Sequence, residues 1–204
     1  MVTIIDYGMG NIGSITNMIK RIGYSAEVSS DITQIQAATK IILPGVGHFD
    51  MAMQNIKKLG LFNIIRKKAI EDKTPILGIC LGMQIMCKGS EEGTEEGLGL
   101  IDAEVKRFHF LAGLKLKVPH MGWNIVEPIK NYSLFTEMSE EKRFYFVHSY
   151  HVVCNDENDI AAATNYGYDF TSSFGRDNIM GVQFHPEKSH KFGMQLLKNF
   201  IEKY

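Results

Sequence analysis

The stretch PILGICLGMQ at residues 75–84 decides the fold, because an apolar run passes directly into a helix-favouring segment at Cys80. Gly78 and Gly82 lie two residues before and two residues after this cysteine. The pattern is typical of a nucleophile elbow, a strand–turn–helix junction whose flanking positions leave no room for side chains. A cysteine in an apolar strand is usually a core residue, but a helix N-terminus favours a thiolate. The stretch therefore predicts that Cys80 is a nucleophile in a tight turn.

A second segment, GVQFHPE at residues 181–187, supplies the base that a thiol nucleophile needs. His185 ends an apolar run, and Glu187 follows it two residues later. An imidazole can take the thiol proton and return it to a leaving amine, while a carboxylate holds the imidazole tautomer and stabilises its cationic form. A histidine near a carboxylate is weak support alone, because the chain has seven histidines. Together with the elbow, the pair predicts a triad of Cys80, His185 and Glu187.

The order of strands and helices around these segments predicts an α/β fold. Apolar strands alternate with helices over the first 90 residues, which favours a parallel sheet with helices on both faces. Short β-type runs then follow one another, and we expect them to extend the sheet as antiparallel strands, at 144–147, 151–154, 160–164, 169–174 and 179–184. An amphipathic helix at about 191–203 closes the chain. The sequence predicts one three-layer domain over residues 1–204, a mainly parallel sheet flanked by helices with an antiparallel extension.

Composition restricts the possible partners and cofactors. Net charge is −1 over 204 residues, which gives no electrostatic reason to expect nucleic acid or an anionic membrane as a partner. The N-terminus lacks the basic start and long apolar run of a signal peptide. Three cysteines without paired short spacings argue against a disulfide framework or a zinc site, and we expect a reducing cytoplasm, no metal and no cofactor.

The motifs resemble those of class I (triad) glutamine amidotransferases. GICLGMQ at 78–84 and GVQFHPE at 181–187 match the two signatures of that family. The chain is similar, more narrowly, to the glutaminase subunits of imidazole glycerol phosphate synthase, and four further segments in the expected order carry this similarity: IDYGMGN at 5–11, LPGVGHF at 43–49, VPHMGWN at 118–124 and FVHSY at 146–150. The resemblance implies a flavodoxin-like core.

The resemblance also implies a reaction. Cys80 attacks the side-chain carboxamide of glutamine to form a glutamyl thioester, His185 moves the proton, ammonia leaves and water hydrolyses the thioester. The PGVG loop at residues 44–47, with Gly45, Val46 and Gly47, lies beside the nucleophile in the family. Its backbone N–H groups and that of Leu81 are the expected oxyanion hole, in keeping with the close approach that glycine permits. A plain strand-ending turn is the alternative interpretation of this loop.

Five further residues match positions that bind glutamine in the family. Gln84 and Glu92 are expected to contact or position its α-amino and α-carboxylate groups. His148, Ser149 and Tyr150 are expected to do so from the other side of the pocket. Residue patterns alone single out none of them, since Gln84 is a polar residue one turn into a helix and FVHSYH reads as an ordinary strand.

The family implies a heterodimer with a (β/α)₈-barrel synthase of histidine biosynthesis, through which ammonia travels. A sequestered route keeps ammonia neutral and nucleophilic, whereas water at neutral pH would protonate it. The expected docking face includes Met121, Trp123, Asn11 and Lys188. Trp123 is the only tryptophan and suits an interface anchor, although a core position is the alternative.

Gly13 departs from the family pattern, which has a larger or basic residue there. Close relatives serve a partner that amidates a nucleotide-linked sugar for surface polysaccharide, so Gly13 leaves that acceptor open as an alternative. Gly13 also completes a match to G-x-G-x-x-G at residues 8–13, with Asp31 at a suitable distance, which is the dinucleotide fingerprint of an NAD-binding oxidoreductase. That hypothesis leaves the elbow and the HPE segment unexplained. A stand-alone hydrolase or a regulatory glutamine-binding module is a further alternative.

Overall fold

A large mixed sheet organises the molecule, whose computed structural model describes residues 1–110, 115–138 and 141–204. The strands are β1 (Val2–Ile5), β2 (Ala26–Ser29), β3 (Ile41–Leu43), β4 (Ile76–Ile79), β5 (Gly89–Ser90), β6 (Ala103–Arg107), β7 (His120–Ile125), β8 (Glu127–Pro128), β9 (Arg143–His148), β10 (Tyr150–Cys154), β11 (Ile160–Asn165), β12 (Asp169–Arg176) and β13 (Ile179–Val182). The α-helices are α1 (Ile12–Arg21), α2 (Ile32–Ala37), α3 (Phe49–Lys58), α4 (Leu61–Ile70), α5 (Leu81–Gln84) and α6 (His190–Lys203). Short 3₁₀ turns occupy Ser133–Phe135, Glu157–Asp159 and Pro186–Lys188.

The first half of the large sheet is parallel, in the order β2-β1-β3-β4-β13. This is the strand order of flavodoxin-like proteins, which bind ligands beyond the carboxyl ends of the strands. The sheet continues through β12, β10 and β6, each antiparallel to the strand before it. The predicted fold class, a mainly parallel sheet with an antiparallel extension, is therefore confirmed.

Helices cover both faces of the sheet, which gives the three predicted layers. One apolar cluster packs the side chains of α2, α3 and α4 against one face. A second cluster packs Ile15 and Ile19 of α1 and Phe200 of α6 against the other face. Successive residues of β1 and β3 alternate between the two clusters, as the pleat of a strand requires. Within the described ranges, no helix is long and apolar enough to cross a membrane.

The structure corrects three sequence-based expectations. The run at 179–184 was expected in the antiparallel extension, but β13 is the fifth parallel strand and lies beside β4. The run at 144–147 does not extend the large sheet, because β9 pairs with β7 in a separate two-stranded sheet. The segment LGMQIMC at 81–87 favours a helix after Cys80, but that helix ends at Gln84. It ends early because the carbonyls of Ile85, Met86 and Cys87 accept hydrogen bonds from the segment 98–100 instead.

Candidate active site

The elbow at Cys80 has the predicted geometry. Cys80 adopts φ 53° and ψ −110°, between the end of β4 and the start of α5. A Cβ atom at Gly82 would lie 1.8 Å from the Leu43 carbonyl oxygen, and one at Gly78 would lie 2.4 Å from Met86 Sδ. Only glycine fits at either position, as a nucleophile elbow requires. The Cys80 backbone N–H donates to the Val182 carbonyl at 2.8 Å, so β13 fixes the turn from the neighbouring strand.

Strand β13 also delivers the histidine and the carboxylate. His185 Nδ1 lies 2.9 Å from Glu187 Oε1, and both side chains are 1% exposed. The backbone holds this pair in place, because the His185 N–H donates to the Tyr145 carbonyl and the Ser189 hydroxyl donates to the His185 carbonyl. His185 Nε2 is buried and has no hydrogen-bond partner in the part of the chain that the structure describes. It remains available for a proton that moves to or from Cys80.

Electrostatics favour a protonated His185. Burial of the ring opposes the positive charge, but the negative charge of a Cys80 thiolate and the hydrogen bond and charge of Glu187 outweigh it. The pKa of His185 is thereby raised to about 10. The direction of this shift favours a protonated imidazole at neutral pH, beside the Cys80 sulfur.

A cavity of about 300 Å³ opens over the nucleophile. Cys80 and His185 line it, together with every predicted glutamine-binding residue and most of the predicted oxyanion loop, namely Val46, Gly47, Leu81, Gln84, Glu92, His148, Ser149 and Tyr150. Pro119 and Val147, which sequence reasoning did not select, complete the lining. The structure thus brings the predicted side chains together at the carboxyl ends of the parallel strands.

The predicted oxyanion loop packs tightly against the elbow. A Cβ atom at Gly45 would lie 2.6 Å from the backbone nitrogen of Gly82, so a side chain there has no room. Gly47 adopts φ 106°, a conformation that glycine reaches readily. The buried Tyr7 hydroxyl donates to the Pro44 carbonyl and holds the start of the loop. Tyr7 was not selected from the sequence, because no local pattern connects it to Pro44.

Gln84 connects the pocket wall to the nucleophile. Its side-chain amide donates to the Tyr150 carbonyl at 3.1 Å and to Gln183 Oε1 at 3.0 Å. Gln183 Nε2 lies 3.6 Å from Cys80 Sγ, within reach of a weak hydrogen bond to sulfur. Gln183 is fully buried and stands two residues before His185. Its sequence context predicts only a strand position.

His148 lies at the pocket with both ring nitrogens already occupied. Nδ1 is 2.8 Å from the Tyr150 carbonyl oxygen and Nε2 is 2.9 Å from His120 Nδ1. Its proximity to the pocket is as predicted, but its polar atoms face the protein. Among the described residues, no group of three His, Cys, Asp or Glu side chains has an arrangement that would hold a metal.

Glu92 reaches the pocket from the segment between β5 and β6. Its Oε2 accepts the backbone N–H of Phe49 at 2.8 Å, at the first turn of α3. In return, the Asp50 carboxylate accepts the N–H groups of Thr94 and Glu95 at 3.0 and 2.9 Å. Those N–H groups hold the pKa of Asp50 below its usual value. The two cross-links fasten the Glu92 segment to α3, whose first turn directly follows the oxyanion loop.

Three of the four predicted docking residues are exposed on one side of the site. Met121 and Trp123 are 62% and 42% exposed. Lys188 is also exposed, and its Nζ lies 5.6 Å from the centre of the Tyr145 ring, which Trp123 contacts edge-on. Asn11 is partly buried just before α1, and α1 packs against the turn that carries Lys188. Trp123 is therefore not a core residue.

The glycine motif at residues 8–13 follows β1 and runs into the first two residues of α1, as a dinucleotide fingerprint would. Its third glycine is not needed for packing, because a Cβ atom at Gly13 would meet nothing within 4 Å. Gly10 instead packs on Pro44 of the oxyanion loop, where a Cβ atom would lie 2.9 Å from the proline Cβ. Asp31 caps α2 by accepting the Gln34 N–H. These contacts assign the glycine motif to the support of the Cys80 site.

Comparison with known proteins gives the same assignment as the geometry. The profile of the family described as glutamine amidotransferase class-I matches residues 3–204. A relative from Methanococcus maripaludis, described as imidazole glycerol phosphate synthase subunit HisH 2, is 55% identical over 203 residues, with 99% of each chain covered. A second, from Pseudomonas aeruginosa and described in the same words, is 50% identical over 202 residues, with 99% of each chain covered.

Solved structures share the fold at much lower identity. One described as a glutamine amidotransferase has a TM-score of 0.76 at 19% identity and covers 99% of this chain and 98% of its own. The structure of PurLQS from Thermotoga maritima has a TM-score of 0.71 at 17% identity, with 99% and 97% covered. The family match over nearly the whole chain, the full-length relatives and the Cys80 elbow lead to one conclusion: the chain belongs to the class-I glutamine amidotransferases.

Proposed function

We propose that residues 1–204 form one glutaminase domain that hydrolyses glutamine to glutamate and ammonia and delivers the ammonia to a (β/α)₈-barrel synthase in histidine biosynthesis. One observation carries the chemistry: Cys80 stands in a strained elbow at a cavity that the buried His185–Glu187 pair also borders. The relatives named as imidazole glycerol phosphate synthase subunits support the pathway. A biosynthetic enzyme of this kind is expected in the cytoplasm.

The first half of the reaction makes a thioester. The Cys80 thiolate attacks the side-chain carbonyl carbon of glutamine, a C–S bond forms, and the carbonyl oxygen takes up the negative charge. The Leu81 N–H, at the start of α5, donates to no acceptor among the described residues and is oriented by the helix, so it can donate to this oxygen. Backbone N–H groups of Gly45, Val46 and Gly47 are the further candidate donors. His185 then gives its proton to the nitrogen, the C–N bond breaks and ammonia leaves.

The second half regenerates the thiolate. His185, now neutral, accepts a proton from water, and the hydroxide attacks the thioester carbon. The C–S bond breaks, glutamate leaves and Cys80 returns to the thiolate paired with protonated His185. Glu187 stays ionised throughout and orients the ring through Nδ1. Glu92, Gln84 and the 148–150 segment line the cavity, which supports the proposal that this wall holds the amino-acid end of glutamine.

The exposed Met121 and Trp123 side chains support a partner on this side of the site. These two large apolar side chains are 62% and 42% exposed, and their contact with water is unfavourable in free energy unless another protein surface covers them. Trp123 has the character of an interface anchor, with Tyr145 and Lys188 beside it. A docked synthase can receive ammonia before bulk water protonates it.

Gly13 supports a second candidate acceptor. A larger side chain would fit there without a clash, since nothing lies within 4 Å of its Cβ position, so the glycine is not imposed by packing. The alternative is a paralogous barrel partner that amidates a nucleotide-linked sugar, with unchanged chemistry at Cys80.

The test is glutamate release from glutamine by the purified chain, alone and with each barrel synthase encoded in the same genome. Stimulation by the synthase of the histidine pathway supports the proposal, whereas stimulation only by the other synthase replaces the acceptor. Full activity of the chain alone would indicate a stand-alone hydrolase. In the complex, ammonium chloride should restore product formation to a Cys80→Ala variant. Failure of that bypass with an active synthase would contradict the role as ammonia donor.

A further inference from the structure

A continuous line of hydrogen bonds leaves the pocket through His148 and ends on strand β7. His148 Nδ1 must carry a proton, because it faces the Tyr150 carbonyl oxygen, which can only accept. In neutral His148, Nε2 is then an acceptor, and His120 Nδ1 must donate to it across 2.9 Å. His120 Nε2 accepts in turn from Asn124 Nδ2 at 3.2 Å. That nitrogen is fixed as a donor, since it also lies 2.9 Å from the Asn165 carbonyl oxygen.

Both histidines are held neutral, as this single proton arrangement requires. Burial lowers the pKa of His120 to about 4. Burial also lowers the pKa of His148 well below its ordinary value, and the neighbouring His120 and His151 add to this. The two rings are 3% and 6% exposed. A neutral pair of fixed tautomers gives the line one direction, with Asn124 donating to His120, His120 to His148, and His148 to Tyr150.

The same Tyr150 carbonyl joins this line to the nucleophile. It accepts from Gln84 Nε2 as well as from His148. Gln84 also donates to Gln183, whose own amide nitrogen is 3.6 Å from Cys80 Sγ. Gln84 and Gln183 are 5% and 0% exposed, so water does not compete for these bonds.

Strand β7 carries the proposed docking residues on its opposite face. Met121, Trp123 and Ile125 are exposed, whereas His120 is buried and Asn124 is partly buried. This is the alternation expected of a strand. The partner strand β9 ends at His148, paired directly with His120.

We propose that His120 is a positioning residue for the glutaminase reaction. From the strand that faces the synthase, it fixes the position of the 148–150 wall of the pocket and, through Gln84 and Gln183, the position of the Cys80 sulfur. The inference rests on the proposed function. His120 touches neither glutamine nor the reacting atoms, and it acts through its hydrogen bond to His148.

Packing is the competing explanation for any effect of His120. Its ring stacks on Phe146 at 4.8 Å and on Tyr166 at 4.0 Å between centres. Two substitutions separate packing from hydrogen bonding. His120→Phe keeps an aromatic ring and removes the donor to His148. His120→Asn loses the ring but keeps an N–H near the position of Nδ1.

His151→Phe is the matched control. His151 is 6% exposed and packs on Phe108 in the same aromatic group. Its Nε2 contacts the Tyr168 hydroxyl, outside the line described above. It does not line the Cys80 cavity.

The experiment measures kcat and KM for glutamate release at saturating barrel synthase, with synthase Kd and Tm for each variant. We expect His120→Phe to lower kcat about tenfold, with KM and Kd within about threefold of the wild type, because a buried donor is lost next to an unsatisfied acceptor. His120→Asn should recover most of kcat despite a lower Tm, and His151→Phe should retain it.

Three results would overturn the inference: wild-type kcat in His120→Phe, kcat as low in His120→Asn as in His120→Phe, or a loss no larger than that of His151→Phe. An activity loss that saturating synthase removes would also overturn it, because the defect would then be docking. Failure of the wild type to hydrolyse glutamine, alone or with any synthase, would instead contradict the proposed function itself.

Discussion

At Cys80 the backbone holds φ 53° and ψ −110°, a conformation that costs a non-glycine residue about 1–3 kcal/mol. The surrounding structure imposes it, because the Cys80 N–H is bonded to Val182 on one side and Gly82 fits against Leu43 on the other. The strain places the sulfur at the cavity, at the first turn of α5. His185 and Glu187 lie close to Cys80 because they follow β13, the strand that pairs with β4.

The roles of His185 and Glu187 predict different losses. His185→Ala removes the proposed proton carrier and should lower kcat about 10²–10⁴-fold. Glu187→Gln should cost less, because the ring keeps a hydrogen-bond partner. Steady-state glutamate release in the complex measures both, and a larger loss in Glu187→Gln would show that the roles are wrong.

The pH profile provides a separate check on Glu187. His185 must be protonated to give a proton to the leaving nitrogen, so activity falls as pH rises through its pKa, raised to about 10. Glu187 is one of the causes of that rise, and Glu187→Gln should therefore move the alkaline limb of kcat/KM to lower pH. An unchanged limb would contradict the electrostatic role of Glu187.

At the element scale, the sequence predicted helices better than sheet neighbours. The apolar spacing at residues 61–70 predicts a helix, which α4 confirms with the bounds Leu61–Ile70, and α6 begins one residue before the predicted start. These helices depend on local apolar spacing. The place of β13 beside β4 depends on a pairing between residues about 100 positions apart, which periodicity does not encode. The fully buried run of β13 is the one signal that favoured a central parallel strand.

Substitution of glycine by alanine should have opposite effects on the free energy of unfolding at the elbow and in α1. Gly82→Ala places a Cβ 1.8 Å from the Leu43 oxygen and should destabilise the fold by about 1–3 kcal/mol, or more. Gly13→Ala meets nothing within 4 Å and should stabilise α1 by about 0.5–1 kcal/mol. Denaturant unfolding of the two variants measures this difference. Equal effects would contradict the close approach at the elbow.

At the scale of the whole molecule, the sequence predicts those residues of the candidate site that lie within short motifs. Cys80, His185 and Glu187 stand in short segments that the sequence displays directly, whereas the oxyanion loop was expected from the family resemblance. Gln183, Tyr7 and His120 could not be predicted, because their roles depend on contacts between distant segments. Resemblance rather than residue pattern brought Gln84 and His148 to notice, and the structure shows that His148 turns its nitrogens inward.

If a synthase docks on the face that carries Trp123, removal of an exposed apolar side chain should weaken synthase binding on that face and not elsewhere. Trp123→Ala should weaken synthase binding about 30-fold, the loss typical of an aromatic interface anchor. Ile70→Ala is the matched control, since Ile70 is 41% exposed against 42% for Trp123 and lies at the far end of α4. Titration of labelled synthase gives both Kd values. Equal affinities for the two variants would remove Trp123 from the docking face.

The central claim is that this molecule releases ammonia from glutamine through a covalent bond to Cys80. The most direct measurement is glutamate release in the presence of the synthase, compared between the wild type and Cys80→Ala at matched Tm and synthase affinity. We predict turnover in the wild type and none above background in Cys80→Ala. Retained turnover in Cys80→Ala would contradict the nucleophile assignment and the reaction derived from it.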